Sequence, residues 1–308
     1  MPKVVVTEFM DKAALKDFGA AFDVTYAPDL VDDRPALLAA VTSADGLIVR
    51  NRTQVDAPLL AAAPRLRVVG RLGVGLDNID LAACASRNIT VAPATGANAE
   101  AVAEYVIAAI LILIRGAYAA RAEIGTGGWP RAALGQGGEI AGKSLGLIGL
   151  GTIAQSVAAK ARALNMNILA HDPHLPADHP AWGDVRACAL PELLASADAI
   201  SLHIPLTAET RALIDAAALA QMKPRAILIN TSRGGIVDET ALATALHAHR
   251  LAGAALDVFA TEPPDPSGAA SLAAHPNVIL TPHIAGVTTE ANHRVSHMTV
   301  ANVKNALA

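Results

Sequence analysis

The sequence predicts an α/β protein of two doubly wound parallel-sheet domains with a cleft between them. Three observations carry this expectation. At 308 residues the chain exceeds what one typical core accommodates. Short β-branched runs alternate with Ala/Leu-rich segments along its length, the pattern of βαβ units. The alternation comes in two series, separated by a long breaker-poor segment and a glycine-rich stretch.

The first series gives strands at 4–7, 24–26, 47–50, 68–71 and 89–92. Residues 99–121 hold almost no helix breaker and read as one long helix; 125–138 hold six glycines and read as a loop. The second series gives strands at 145–149, 168–171, 199–203, 226–230, 254–257 and 278–281, then a helix over 288–308. The expected division is a nucleotide-binding domain at 98–282, inserted in a substrate-binding catalytic domain made of 1–97 plus 283–308. Rossmann-like and flavodoxin-like sheets are the doubly wound types that suit such series.

Composition excludes several partners. Net charge is −4 with no Lys/Arg run, so no clustered basic surface exists for nucleic acid. The most apolar stretch, 105–114, lies between Glu104 and Arg115 and is too short to span a bilayer. Glu8 interrupts the start before a signal-peptide core could form, which makes the expected location cytoplasmic. Cys84 and Cys188 are too few for a disulfide framework or a zinc site and read as small buried apolar groups; no metal is expected.

Gly149-Leu150-Gly151-Thr152-Ile153-Ala154 follows an apolar strand and opens an Ala-rich helix. That context gives a weak motif meaning: Gly149 permits the tight turn, and Gly151 lets a pyrophosphate approach the backbone at the helix's positive end. Ala154 stands where only close helix–strand packing is required. Asp172 ends the next strand, 21 residues after Gly151. A carboxylate there bonds ribose hydroxyls and repels a 2′-phosphate, which selects NAD over NADP.

Three later stretches each follow an apolar run: Asn230-Thr231-Ser232-Arg233-Gly234-Gly235, Asp257 to Pro264, and Thr281 to Gly286. They deliver one guanidinium, one carboxylate and one imidazole at consecutive strand exits. Arg233 offers a fork of donors that matches a carboxylate. His283 is the acid–base group for a carbinol proton, since imidazole titrates near neutrality. Glu262 would hold its other ring nitrogen and fix the tautomer. His179, His247, His249, His275, His293 and His297 read as surface residues.

The order GLGTIA, HDP, LHIPLT, NTSRGGIVDE, ALDVFATEPP and TPHIAG resembles the D-isomer-specific 2-hydroxyacid dehydrogenases, with VGRLGVGLDNIDL and GANAEAVAEYVI extending the likeness to the front half. The resemblance implies an NAD-dependent enzyme that interconverts 2-hydroxy and 2-oxo acids, with Arg233, Glu262 and His283 catalytic. It also implies cofactor contacts at Gly149, Gly151, Thr152, Ile153, Asp172, Ile204, Thr231, Ser232, Asp257 and Gly286, with Asp257 meeting the nicotinamide carboxamide. Backbone N–H groups around Val74 and Gly75 would cradle the substrate carboxylate. Arg50, Arg52, Arg71 and Asn98 are similar to the anion pocket of the 3-phosphoglycerate dehydrogenase branch, and Arg131, beside Trp129 in the glycine-rich loop, would reach in from a neighbouring subunit.

So many cations suit a substrate with a second anion on C3, phosphate or sulfonate: 3-phosphoglycerate or 3-sulfolactate. If the arginines are structural instead, the reading becomes a glyoxylate/hydroxypyruvate reductase. Glu262 argues against formate dehydrogenases, in which glutamine occupies that place. A non-catalytic NADH-sensing corepressor on the same fold is the reading from a different class. With Ala308 directly after the closing helix, no appended regulatory domain is expected. The helix from Ala99, with Trp129 beyond it, suggests a homodimer.

Overall fold

The computed structural model describes residues 1–308, the side chains of Ala119 and Ala122 excepted. It forms two compact units, Met1–Asn98 with Val287–Ala308 (unit 1) and Ala99–Gly286 (unit 2).

In unit 1, β1 (Lys3–Val6), β2 (Asp23–Tyr26), β3 (Gly46–Val49), β4 (Val68–Arg71) and β5 (Thr90–Pro93) form one parallel sheet in the order β2-β1-β3-β4-β5. This is the flavodoxin-like order. The strand period of two divides the side chains between two cores. Val4 and Val6 join Val295, Val300 and Val303 of the helix Thr289–Leu307, while Val5 joins Leu37, Leu59 and Leu60 on the other face. That last helix starts where Thr288 caps it, its hydroxyl accepting from Ala291 N at 3.0 Å.

Unit 2 holds β6 (Ser144–Ile148), β7 (Asn167–His171), β8 (Arg186–Ala187), β9 (Ala199–Leu202), β10 (Ile227–Asn230), β11 (Gly253–Leu256) and β12 (Val278–Leu280). All are parallel, in the order β12-β11-β10-β9-β6-β7-β8, which is the Rossmann order with one added strand. Ile227 and Ile229 pack with the helices Ala99–Arg115 and Thr152–Ala163, and Leu228 with Leu219, Leu242 and Leu246 on the opposite face. Each such fully buried aliphatic contributes about 1.5–3 kcal/mol.

Three local features differ from expectation. The long helix stops at Arg115 because Gly116 takes a left-handed φ of 62°, and a 3-10 turn at Tyr118–Ala120 and a short helix at Arg121–Gly125 follow. The glycine-rich stretch holds one helical turn, Arg131–Leu134. Strand β8 is two exposed residues, too short to leave a periodic signal. Among the described residues, no helix is long and apolar enough to cross a membrane.

Candidate active site

Strand register builds the site in unit 2. His171, Ile148, Leu202, Asn230, Leu256 and Leu280 pair in one continuous row across the sheet. The residues that follow therefore leave the sheet together at its C-terminal edge: Asp172, Gly149, His203, Thr231, Asp257 and Thr281. The chain reverses its winding between β6 and β9, the place where open parallel sheets bind ligands.

At that switch point Gly149 has φ 87°, and a Cβ on it would lie 2.6 Å from the His203 carbonyl oxygen. Only glycine fits. Gly151 caps the helix Thr152–Ala163 without a side chain, and the space around its missing Cβ is open. The first helical N–H groups, Thr152 and Ile153 among them, are thus left to a ligand. Ala154 is fully buried, as tight packing on the strand requires. Asp172 accepts from Leu150 N at 2.9 Å and from His174 N at 3.0 Å, so it braces the glycine turn and stays partly exposed. An uncapped helix start, a turn open to close approach and a nearby carboxylate fit a dinucleotide. His203, held by Ser201 Oγ at 2.9 Å beside Ile204, has its pKa pushed down by burial to about 4.

His283 follows β12. Its Nδ1 lies 2.8 Å from Glu262 Oε2, whose other oxygen accepts from Phe259 N at 3.2 Å. With Nδ1–H donated to a carboxylate, Nε2 is the nitrogen left to exchange a proton. Both side chains are accessible, at 41% and 36%, and line a cavity of about 470 Å³ with Phe259, Pro263, Leu280 and Thr281.

His283 also adopts the left-handed conformation, φ 56°, which non-glycine residues seldom take. Its surroundings impose this. His283 N donates to Asp257 O at 2.8 Å and Thr281 O at 3.1 Å. Asp257, 1% exposed, accepts from Ile284 N and Ala285 N at 2.8 Å each and from Thr281 Oγ1 at 2.6 Å. Because the Thr281 hydroxyl donates to that carboxylate, Tyr105 OH must donate to Thr281, at 2.7 Å. Burial raises the Tyr105 pKa; the hydrogen bond with Thr281 opposes the shift and the charge of Asp257 adds to it. Sequence reasoning missed this brace; an acid directly after a buried strand was the available signal. Gly286 ends the loop.

Arg233 leaves β10, with Nη1 donating to Ser232 O at 2.6 Å. Its loop is shaped by Asn230, which accepts from Ser232 N and Oγ and donates to Arg233 O. A Cβ on Gly234 would lie 1.7 Å from Phe259 O, so the loops after β10 and β11 touch backbone to backbone. The Thr231 hydroxyl is buried without a partner among the described residues.

The expected substrate residues Arg50, Arg52, Arg71, Val74, Gly75 and Asn98 lie in unit 1, and Arg131 lies exposed in unit 2 after Trp129. Glu8, 4% exposed and missed by sequence reasoning, accepts from the backbone N–H groups of Arg50, Arg52 and Thr53 at 2.7–3.1 Å. The guanidinium of Arg50 donates to Asn292 Oδ1 at 3.2 Å, that of Arg52 pairs with Asp32, and that of Arg71 donates to Leu72 O at 2.7 Å. Burial lowers the Arg50 pKa, and the charge of Glu8 opposes that shift. Among the described residues, the N–H groups of Val74 and Gly75 have no acceptor and Asn98 Oδ1 has no donor.

Of the histidines expected at the surface, one is buried and one is partly covered. His275 is 9% exposed and its pKa is lowered by burial first and His249 second. His297 is half-buried against Asp17. Cys84 is buried and Cys188 half-buried, both free thiols with pKa values raised by burial.

Residues 107–285 match the model of the D-isomer specific 2-hydroxyacid dehydrogenase NAD-binding domain. The whole chain is 53% identical to the (S)-sulfolactate dehydrogenase of Chromohalobacter salexigens and covers 99% of it. It is 40% identical to the D-3-phosphoglycerate dehydrogenase of Mycobacterium leprae, of which it spans 57%. A crystal structure of a Thermus thermophilus protein superimposes with a TM-score of 0.89 at 35% identity, covering 99% of this chain and 96% of that one. Sequence, fold and the in-register strand exits agree: the chain belongs to the D-isomer specific 2-hydroxyacid dehydrogenase family, and unit 2 carries its NAD-binding domain.

Proposed function

We propose that this chain is an NAD-dependent dehydrogenase that interconverts a D-2-hydroxy acid with an anionic C3 group and its 2-oxo acid, 3-sulfolactate and 3-sulfopyruvate first. The observation that carries the reading is the His283–Glu262 pair, held at 2.8 Å on strand exits level with the glycine turn. The full-length likeness to an (S)-sulfolactate dehydrogenase supports the choice of anion. The (S) label agrees with the D series, because a sulfonate-bearing carbon outranks the carboxyl group in the naming rules.

In the oxidation His283 Nε2 takes the hydroxyl proton as the C2–H bond breaks. Glu262 stabilises the imidazolium that results. Bound NAD would supply the acceptor for the hydride that leaves C2. Arg233 clamps the substrate carboxylate; in unit 1 the open N–H groups of Val74 and Gly75 are donors suited to a carboxylate. Arg50, Arg52, Arg71, Asn98 and Arg131 serve the C3 anion; the exposed Arg52–Asp32 pair exchanges partners at small cost, since such pairs contribute about 0–1 kcal/mol. Gly149, Gly151, Thr152 and Ile153 meet the pyrophosphate and Asp172 the ribose, while Ile204, Thr231, Ser232 and Gly286 flank the nicotinamide half. Asp257 Oδ2 accepts from Ala285 N and keeps a lone pair that would serve the carboxamide. Exposed Leu111, Ile112, Tyr118 and Trp129 support a homodimer, and the NAD chemistry suits the cytoplasm.

NADH oxidation against sulfopyruvate, phosphohydroxypyruvate, hydroxypyruvate, pyruvate and glyoxylate tests this reading. The expected result is a kcat/KM for sulfopyruvate at least tenfold above the uncharged acids. Equal or better turnover of hydroxypyruvate or glyoxylate overturns the second anion site. No turnover of any of them favours a sensor.

A further inference from the structure

We propose that Asp11, His293 and His297 form a binding site for one divalent transition-metal ion of the zinc type, on unit 1 and outside the catalytic set. One ligand atom from each of the three lies within 4.8 Å of the other two. Their placement follows from the fold. His293 and His297 are four residues apart on the helix Thr289–Leu307 and so share a face, their ring centroids 4.2 Å apart. Asp11 comes to that face because its backbone N–H donates to Ser296 Oγ at 3.0 Å, across 285 residues of sequence.

The second observation is the state of the His297 ring. Nδ1 lies 2.5 Å from Asp17 Oδ2, so it carries the hydrogen and donates it to the carboxylate. Nε2 is then an acceptor lone pair, and it is buried with no partner among the described residues. An orphaned buried acceptor is uncommon and is satisfied by a donor proton or a cation; ligand atoms of three residues within 4.8 Å of one another favour the cation. Carboxylate–imidazole–metal is the arrangement that fixes a ligating histidine's tautomer and raises its basicity. Asp17 is itself positioned, since Lys304 Nζ donates to its carbonyl.

Asp11 is suited to the third place. One carboxylate oxygen, Oδ1, accepts from Ala13 N at 2.9 Å, which orients the group and leaves Oδ2 for a ligand. Two imidazoles and one carboxylate select zinc, cobalt or nickel over magnesium and calcium, which prefer all-oxygen shells. His293 is exposed, so water or a solvent ligand completes the coordination. A bound ion would tie residue 11 to residues 293 and 297, the two ends of the chain that build unit 1. Its effect is on the stability of that unit, because binding to the folded state alone raises the melting temperature.

The test uses the full chain, stripped with a chelator and dialysed. Calorimetric titration with zinc chloride is expected to give one equivalent bound at a micromolar Kd or tighter, and cobalt chloride to give the absorption of a four-coordinate nitrogen/oxygen site. His293→Ala, at an exposed position, is expected to fold normally and lose at least tenfold in affinity. Asp17→Asn weakens binding without removing a ligand. His249→Ala, which alters the separate His249–His275 pair, leaves it unchanged. Zinc is expected to raise Tm in the parent and not in His293→Ala. Absence of stoichiometric binding by the parent, or parent-like affinity in His293→Ala, overturns the proposal.

Discussion

Two buried carboxylates, one in each unit, do the same work on the backbone and different work on the side chains. Asp257 in unit 2 accepts from Ile284 N, Ala285 N and the Thr281 hydroxyl; Glu8 in unit 1 accepts from Arg50 N, Arg52 N and Thr53 N. Each gathers a strand-exit loop around a charge that water cannot reach. In unit 2 the side chain on the braced loop is fixed as well, because His283 is locked by its left-handed backbone and by Glu262. In unit 1 the Thr53 hydroxyl is held by Thr7 and the Arg50 guanidinium by Asn292, but the Arg52 side chain is 59% exposed and paired with an exposed Asp32. The difference is one of side-chain freedom: the His283 ring has one held position, and the Arg52 guanidinium lies in solvent.

Substitutions break this comparison at graded strengths. His283→Ala removes the proton acceptor and is expected to lower kcat by roughly 10²–10⁴-fold, while NADH binding measured by fluorescence persists. Turnover near the parent rate would sink the proton-transfer assignment. Asp257→Asn and Glu8→Gln each present an amide NH₂ to backbone N–H donors, so each should destabilise by about 1–3 kcal/mol. Thermal melts check this, and the two should part in kinetics: Asp257→Asn depresses kcat, whereas Glu8→Gln raises KM. Matching kinetic patterns would mean that the two braces are not specialised.

Arg233→Lys replaces a planar fork by a point charge and should raise KM roughly tenfold; an unchanged KM argues against carboxylate clamping. The smallest effect on stability belongs to Arg52→Ala, expected within about 1 kcal/mol because the pair is exposed. It sharpens the comparison through substrate choice, since kcat/KM should fall for sulfopyruvate and hold for glyoxylate. An equal fall for both would make Arg52 structural.

The strands were legible because β-branched runs such as Val4–Val6 and Ile227–Ile229 announce a buried parallel sheet, and the glycine turn because strand and helix flank it. His283 and Glu262 could be picked out as a pair because each ends an apolar run. Both braces stayed hidden for a reason of range: Glu8 acts on residues 42–45 positions away, and nothing local marks it as buried. Asp257 was read only as a ligand contact, since two of its bonds come from main-chain N–H groups, which leave no trace in residue type. Gly116 was passed over because one glycine in an apolar helix is usually tolerated; its left-handed φ is a property of the fold. The spacing of His293 and His297 was visible, but Asp11 and Asp17 reach them only through the closure of unit 1.

Bracing through main-chain amides has a consequence for how such enzymes diversify. The bonds to Glu8 depend on peptide N–H groups at 50, 52 and 53, which every residue but proline supplies. The loop can therefore exchange its side chains, arginine for a neutral residue or the reverse, without disturbing the scaffold that aims them. The side chains at 50 and 52 are thus separable from the bonds that hold their backbone.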